Sequence, residues 1–205
     1  MFPTNKKSNQ SGFTILETVL ALAIVALVFL SLGSLVTSIL RSSHDMNLTL
    51  LSHDQSRLAL NKLTTELRRA SVSSLGSYPI AQATDQSLTF YANLDSTSDK
   101  EKITYFSDGT TLKRSVTKPS GTPLNYQTGN TITDELVYNL TNATTIFSYY
   151  NNDYNGQSAP LSTPVNLNDV RLIKITLIVD ATPNQLPLPY TLSTQVNLRN
   201  LKDNL

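Results

Sequence analysis

The 205-residue sequence contains no cysteine, and only two histidines, His44 and His53. Without cysteine there is no disulfide framework, no thiolate zinc site and no thiol nucleophile. The redox compartment stays open, because a chain without thiols is at home on either side of a membrane. Two histidines leave little room for histidine-based catalysis. An excess of either charge is also missing: sixteen Lys+Arg face fifteen Asp+Glu. A nucleic-acid binder gathers basic residues on one face, and no such cluster occurs, so no nucleic-acid partner is inferred. No Ser-His-Asp order, phosphate-cradling Gly-rich loop or H-E-x-x-H string is present, and no residue set supports an enzyme or a cofactor.

What is present is very unevenly spread. From Thr18 to Leu40 the chain runs 23 residues without a charge, which as a helix spans roughly 35 Å against a hydrocarbon core of ~30 Å. This predicts a membrane segment. Lys6 and Lys7 precede it, as in a signal sequence, but the apolar run is too long for one and no A-x-A site follows. A signal anchor fits better, with the lysines holding the N-terminus in the cytoplasm. Glu17 stands at the mouth of the run. A carboxylate well inside a bilayer costs about 2.5–3.5 kcal/mol, so Glu17 either sits at the headgroups or has a partner.

The string Lys6-Lys7-Ser8-Asn9-Gln10-Ser11-Gly12-Phe13-Thr14-Ile15-Leu16-Glu17, running into the apolar tract, closely resembles the class III leader of type IV prepilins. The resemblance implies a leader of residues 1–12, cut by a prepilin peptidase between Gly12 and Phe13. The same enzyme would then methylate Phe13, leaving Glu17 fifth in the mature chain. The new amine, of a kind that ordinarily titrates at about 7.7–8.0, would face apolar surroundings. The Glu17 carboxylate of a neighbouring subunit would neutralise it and set the axial register, because a paired buried charge is tolerable and an unpaired one is expensive.

The helical pattern continues past Leu40. No Pro or Gly interrupts residues 41–71, and Leu51, Leu58, Leu60, Leu63, Leu67 and Ala70 recur at helical spacing. The segments expected are an assembly helix over 13–40, an amphipathic helix over 41–75 and a β domain over 76–205. The single helix from Thr14 to Ala70 would end in the turn Ser71–Gly76. Gly33, with Ser31 and Ser34, reads either as a bend or as a small-residue packing site. Many major pilins carry a proline in this region; here none lies between Pro3 and Pro79. His44 and His53 are nine residues apart, on opposite helix faces, so they do not share a metal, and both read as belonging to a solvated face.

After Gly76 the period becomes two. Strands are expected at Ser87–Leu94, Lys102–Phe106, Thr110–Thr117, Leu136–Leu140, Thr144–Tyr150, Val170–Val179 and Tyr190–Leu198, with Asp108-Gly109 as a hairpin turn. Pro119–Pro123, Ser158–Pro164 and Pro183–Pro189 read as loops. The fold class is α+β: one long N-terminal helix packed on an antiparallel sheet domain. The runs Leu136–Leu140, Ile146–Tyr150, Val170–Ile175 and Leu192–Asn200 look like the J-type minor pseudopilin of type II secretion systems. They are also similar to the W-type minor pilins of type IV pili.

Three polar clusters need weighing. Asn151–Gly156 has the opening spacing of a calcium loop, but the first ligand is Asn and Ser162 stands where a bidentate Glu belongs; a plain turn explains the same residues. The acidic loop Asp95–Glu101 reads as solvated. Tyr149, Tyr150 and Tyr154 divide between core and an exposed anchor for a partner.

The expectation is a minor pilin or pseudopilin held in the cytoplasmic membrane, its β domain outside, later part of a surface or periplasmic filament. The resemblance implies a place near the tip and a role in initiating assembly. The partners it implies are the peptidase, other minor and major pilins, an inner-membrane assembly platform, and the bilayer before assembly. The alternatives are a major shaft pilin and an uncleaved single-pass binding domain.

Overall fold

The computed structural model describes residues 12, 14–95, 97–141, 145–183 and 187–198. Among the described residues one α-helix, α1 (Ile15–Arg68), precedes eight strands. The chain divides between His44 and Asp45 into two compact units.

In the first unit α1 is apolar on every face, and large side chains from Ile15 to Leu40 stand exposed. Among the described residues α1 is the one helix long and apolar enough to cross a membrane. It continues through Gly33 without interruption. The hydroxyls in this run are satisfied by their own helix: Ser31 Oγ donates to the Leu27 carbonyl at 2.7 Å, Ser34 to Ser31 at 2.8 Å, and Thr37 to Ser34 at 2.9 Å. Such back-bonding lets a hydroxyl sit in hydrocarbon without an unpaired polar group.

In the second unit the rest of α1 packs on two antiparallel sheets, giving the α+β architecture. Five strands, β1 (Ile80–Ala83), β2 (Ser87–Ala92), β3 (Glu101–Asp108), β4 (Thr111–Thr117) and β5 (Thr131–Val137), pair in chain order. The second sheet is β6 (Phe147–Tyr150), β7 (Leu172–Val179) and β8 (Tyr190–Asn197), with β7 central. As the period of two requires, Ile173, Ile175, Leu177 and Val179 are all fully buried. In β8, Tyr190, Leu192 and Val196 alternate with exposed Thr191, Ser193, Gln195 and Asn197.

The helix end comes as the sequence suggests. Arg69 N–H and Ala70 N–H bond three residues back, to Glu66 and Leu67, and Ala70 then bridges to Ala92. Gly76, at φ +81°, closes the turn with its N–H on the Ser73 carbonyl.

Several expectations need correction. The described residues form eight strands in two sheets, and β1 escapes the sequence pattern because four residues are too few to show a period. The β3–β4 hairpin loop is Gly109-Thr110, one residue later than Asp108-Gly109, since Asp108 still pairs with Thr111. Only Gly109 of the two takes a positive φ, +59°, which is the pattern of a type II′ turn. Leu136–Leu140 is not a strand. Strand β5 starts at Thr131 and carries a bulge at Leu136, which stands unopposed between Val137↔Leu112 and Glu135↔Lys113. Asn139, at φ +58°, then turns the chain so that Leu140 bridges to Val179 instead.

The buried face of α1 also differs. Ser56, Ala59, Leu60, Leu63, Glu66 and Leu67 are buried, whereas Leu51 and Leu58 are 61 % and 69 % exposed. Measured from Leu63 at ~100° per residue, Leu51 and Leu58 fall about 120–140° away. They therefore form a stripe of their own beside the packed face.

The packed face carries one polar element. The Glu66 carboxylate accepts two bonds from Arg114 of β4, Nη2 at 2.7 Å and Nε at 3.0 Å, and one from the Tyr105 hydroxyl of β3 at 2.7 Å. Arg114 Nη1 also reaches Asp134 of β5 at 3.3 Å. Burial pushes the Tyr105 hydroxyl far above its usual range, and the adjacent Glu66 carboxylate pushes it further. Burial pulls the Arg114 guanidinium down, but its bonds to Glu66 more than offset this and hold it above its ordinary value. The Glu66 carboxylate ties α1 to β3 and β4, and Arg114 extends the cluster to Asp134 of β5.

Candidate functional site

The candidate site begins where α1 begins. The Thr14 hydroxyl accepts the Glu17 N–H at 3.3 Å, and the Thr14 carbonyl accepts the N–H groups of Glu17 at 3.1 Å and Thr18 at 3.2 Å. Thr14 is thus the N-cap, and Glu17 is the third residue of the first turn. Thr-x-x-Glu before an apolar run is the capping-box pattern, a local signal in the string Thr14-Ile15-Leu16-Glu17 that leader-based reasoning passes over. A carboxylate here also lies in the positive end of the helix dipole, worth about 0.3–1 kcal/mol. Among the described residues the Glu17 carboxylate has no ion-pair partner, and the residue is exposed.

Gly12 is exposed, and a Cβ built on it would meet no heavy atom within 4 Å. Among the described residues nothing requires glycine at that position. Phe13 and the leader residues before Gly12, Lys6 and Lys7 included, lie outside the described residues.

The other candidates are placed more decisively. His44 is exposed, but His53 is not on a solvated face: its ring stacks on Tyr190 at 3.6 Å and 15°. The Tyr190 hydroxyl is held by Ser52 Oγ at 2.9 Å and Ser56 Oγ at 3.2 Å. This aromatic stack joins residues far apart in the chain and left no local signal.

In the Asn151–Gly156 turn the side-chain oxygens serve the turn itself. Asn151 Oδ1 accepts the Asp153 N–H at 3.2 Å, and Asn155 Oδ1 accepts the N–H groups of Gln157 and Ser158 at 2.9 and 3.0 Å. In the Asp95–Glu101 segment, Ser96 lies outside the described residues. Asp95 pairs with Lys118 at 2.7 Å, and that bond above all holds its carboxyl well below the usual range. Glu101 is buried, opens β3 and accepts the Leu94 N–H at 2.9 Å, so the solvated-loop expectation fails for it. Of the tyrosines, Tyr149 is core, its hydroxyl on the Thr84 carbonyl at 2.8 Å, and Tyr150 is buried under Tyr154, ring centres 4.2 Å apart.

Of the candidates read from the sequence, the N-terminal segment presents a capped, exposed apolar helix with one carboxylate in its first turn. The family model of the prokaryotic N-terminal methylation motif matches this same segment, residues 7–33. The match covers Gly12, Phe13, Glu17 and most of the apolar run, and supports the type IV pilin-like superfamily and a structural, pilin- or pseudopilin-type protein. Comparison with curated proteins gives no match.

Proposed function

We propose that the chain is a filament subunit, made as a prepilin, cut between Gly12 and Phe13 and methylated on Phe13. The observation that carries this reading is the methylation motif lying over an exposed apolar helix whose first turn holds Glu17. Before assembly the bilayer covers the apolar helix. In the filament, helices of neighbouring minor and major pilins cover it, with an inner-membrane platform extracting the subunit. Glu17 of one subunit neutralises the Phe13 amine of the next. The resemblance to the J- and W-type branches supports a minor subunit at or near the tip that helps to start assembly; a major shaft pilin would differ in copy number in sheared filaments. The β domain faces outward from the cytoplasmic membrane and then from a surface or periplasmic filament.

Replacing Gly12 by alanine tests the processing step. The added methyl meets open space in the structure, so any effect falls on recognition by the peptidase. The expected outcome is a chain that keeps its leader and migrates as the larger form; a persisting shift to the shorter form in the variant would contradict the assignment. The Thr14 cap supports a second reading, an uncleaved membrane-anchored binding domain in which Glu17 sits at the headgroups in the first turn of the helix.

A further inference from the structure

A formed helix grows readily at its start, because each residue added there gains a hydrogen bond. Proline would stop such growth, but none lies between Pro3 and Pro79. The next hydroxyl-bearing residue upstream of Thr14 is Ser11, also of a type that caps helices. A helix capped at Ser11 would take in Gly12 and Phe13, and with them the bond that the prepilin reading marks for cleavage.

The structure stops α1 short of that bond. The helix begins at Ile15, and Gly12 stands outside it, exposed. Carried further back, the helix would set the Leu16 N–H on the Gly12 carbonyl and the Glu17 N–H on the Phe13 carbonyl. Thr14 holds the Glu17 N–H instead, accepting it at its hydroxyl at 3.3 Å and at its carbonyl at 3.1 Å. The Thr14 carbonyl then takes the Thr18 N–H at 3.2 Å, the first bond of the regular ladder. Among the described residues no backbone N–H bonds the Gly12 carbonyl.

A peptidase needs that carbonyl free. Its carbon must be open to the nucleophile, and its oxygen open to a donor that stabilises the charge developing there. Inside a helix the oxygen is already bonded and the neighbouring turns shield the carbon. Cleavage accordingly falls on exposed chain outside regular structure.

We propose that Thr14 is a positioning residue for leader removal: its cap ends α1 and leaves the Gly12 carbonyl, at the scissile bond, free for the peptidase. Thr14 acts through the start of the helix and not by touching the reacting atoms. The inference rests on the prepilin reading above and adds to it a residue outside the cleaved pair.

The test is the rate of leader loss from the full chain, followed by pulse labelling in cells that process it, for Thr14→Val, Thr14→Ser and Thr14→Asn. Valine copies the shape of threonine but cannot cap. Serine and asparagine both cap, and asparagine does so without a hydroxyl and in a different shape. Thr14→Val should lose its leader up to about five-fold more slowly, the weight of a typical cap. Thr14→Ser and Thr14→Asn should keep the unsubstituted rate. By NMR of the full chain in detergent, the Gly12 carbonyl carbon should shift toward helical values in Thr14→Val and in neither of the others. Cutting of Thr14→Val at the unsubstituted rate would overturn the proposal, as would an unmoved Gly12 signal in that variant. Slow cutting of Thr14→Ser or Thr14→Asn would overturn it too, since the peptidase would then be reading the threonine side chain itself. Each of these results leaves the prepilin reading standing, whereas a leader retained by the unsubstituted chain would overturn both.

Discussion

A chain with Glu17→Ala is expected to be cut normally and to accumulate in the membrane, but to be lost from sheared filaments. On the proposed reading the cut creates a Phe13 amine that is cationic near neutral pH, and assembly would move it among apolar side chains. Leaving one partner of a buried ion pair uncompensated costs about 3–5 kcal/mol, and every 1.4 kcal/mol is tenfold, so incorporation should fall by at least about two orders of magnitude. Alanine also removes the acidic side chain from the first turn of α1, where it complements the Thr14 cap. Glu17→Gln separates the two roles. Glutamine serves the capping box as glutamate does but carries no charge, so the charge-pair account expects Gln to fail like Ala. Filament incorporation of the Gln variant at the unsubstituted level, by immunoblot of sheared and membrane fractions, would show that the charge of Glu17 is not needed.

The second large effect lies in the β domain. Glu66→Ala leaves the Arg114 guanidinium buried and without its bidentate partner, and the Tyr105 hydroxyl without its acceptor. The expected loss is about 3–5 kcal/mol, a large part of the ~5–15 kcal/mol that holds a typical domain together. Removing the whole pair by Glu66→Leu with Arg114→Met takes away the stranded charge and should recover most of that loss. Urea unfolding of the full chain in detergent, followed by the near-ultraviolet signal of its tyrosines, measures both. A double variant no more stable than Glu66→Ala would show that the cluster holds α1 by something other than the ion pair.

These two sites differ in how far the sequence reveals them. Gly12, Phe13 and Glu17 are read from one contiguous string and the apolar run behind it. The faces of β7 and β8 are equally plain, because alternation over eight residues leaves one face apolar and fixes which side is buried. Glu66 shows only as a charge in the last turns of a helix. Its partners, Arg114 and Tyr105, are 48 and 39 residues away, and no local period marks them. The same kind of separation hides the stack of His53 on Tyr190. Leu51 and Leu58 mislead for a different reason: leucine at helical spacing marks an apolar stripe without saying what covers it. Strand β5 is masked by its composition, since Thr131, Thr133, Asp134 and Glu135 interrupt the apolar signal and the bulge at Leu136 shifts its phase.

The central claim, that the chain is processed as a prepilin, is tested most directly by mass spectrometry of its N-terminus from native membranes. A mature chain beginning at N-methylated Phe13, with residues 1–12 gone, is the expected result. An intact Met1, or a chain still carrying Lys6 and Lys7 ahead of Gly12, would contradict it and leave Glu17 as a headgroup-level carboxylate of a plain membrane anchor.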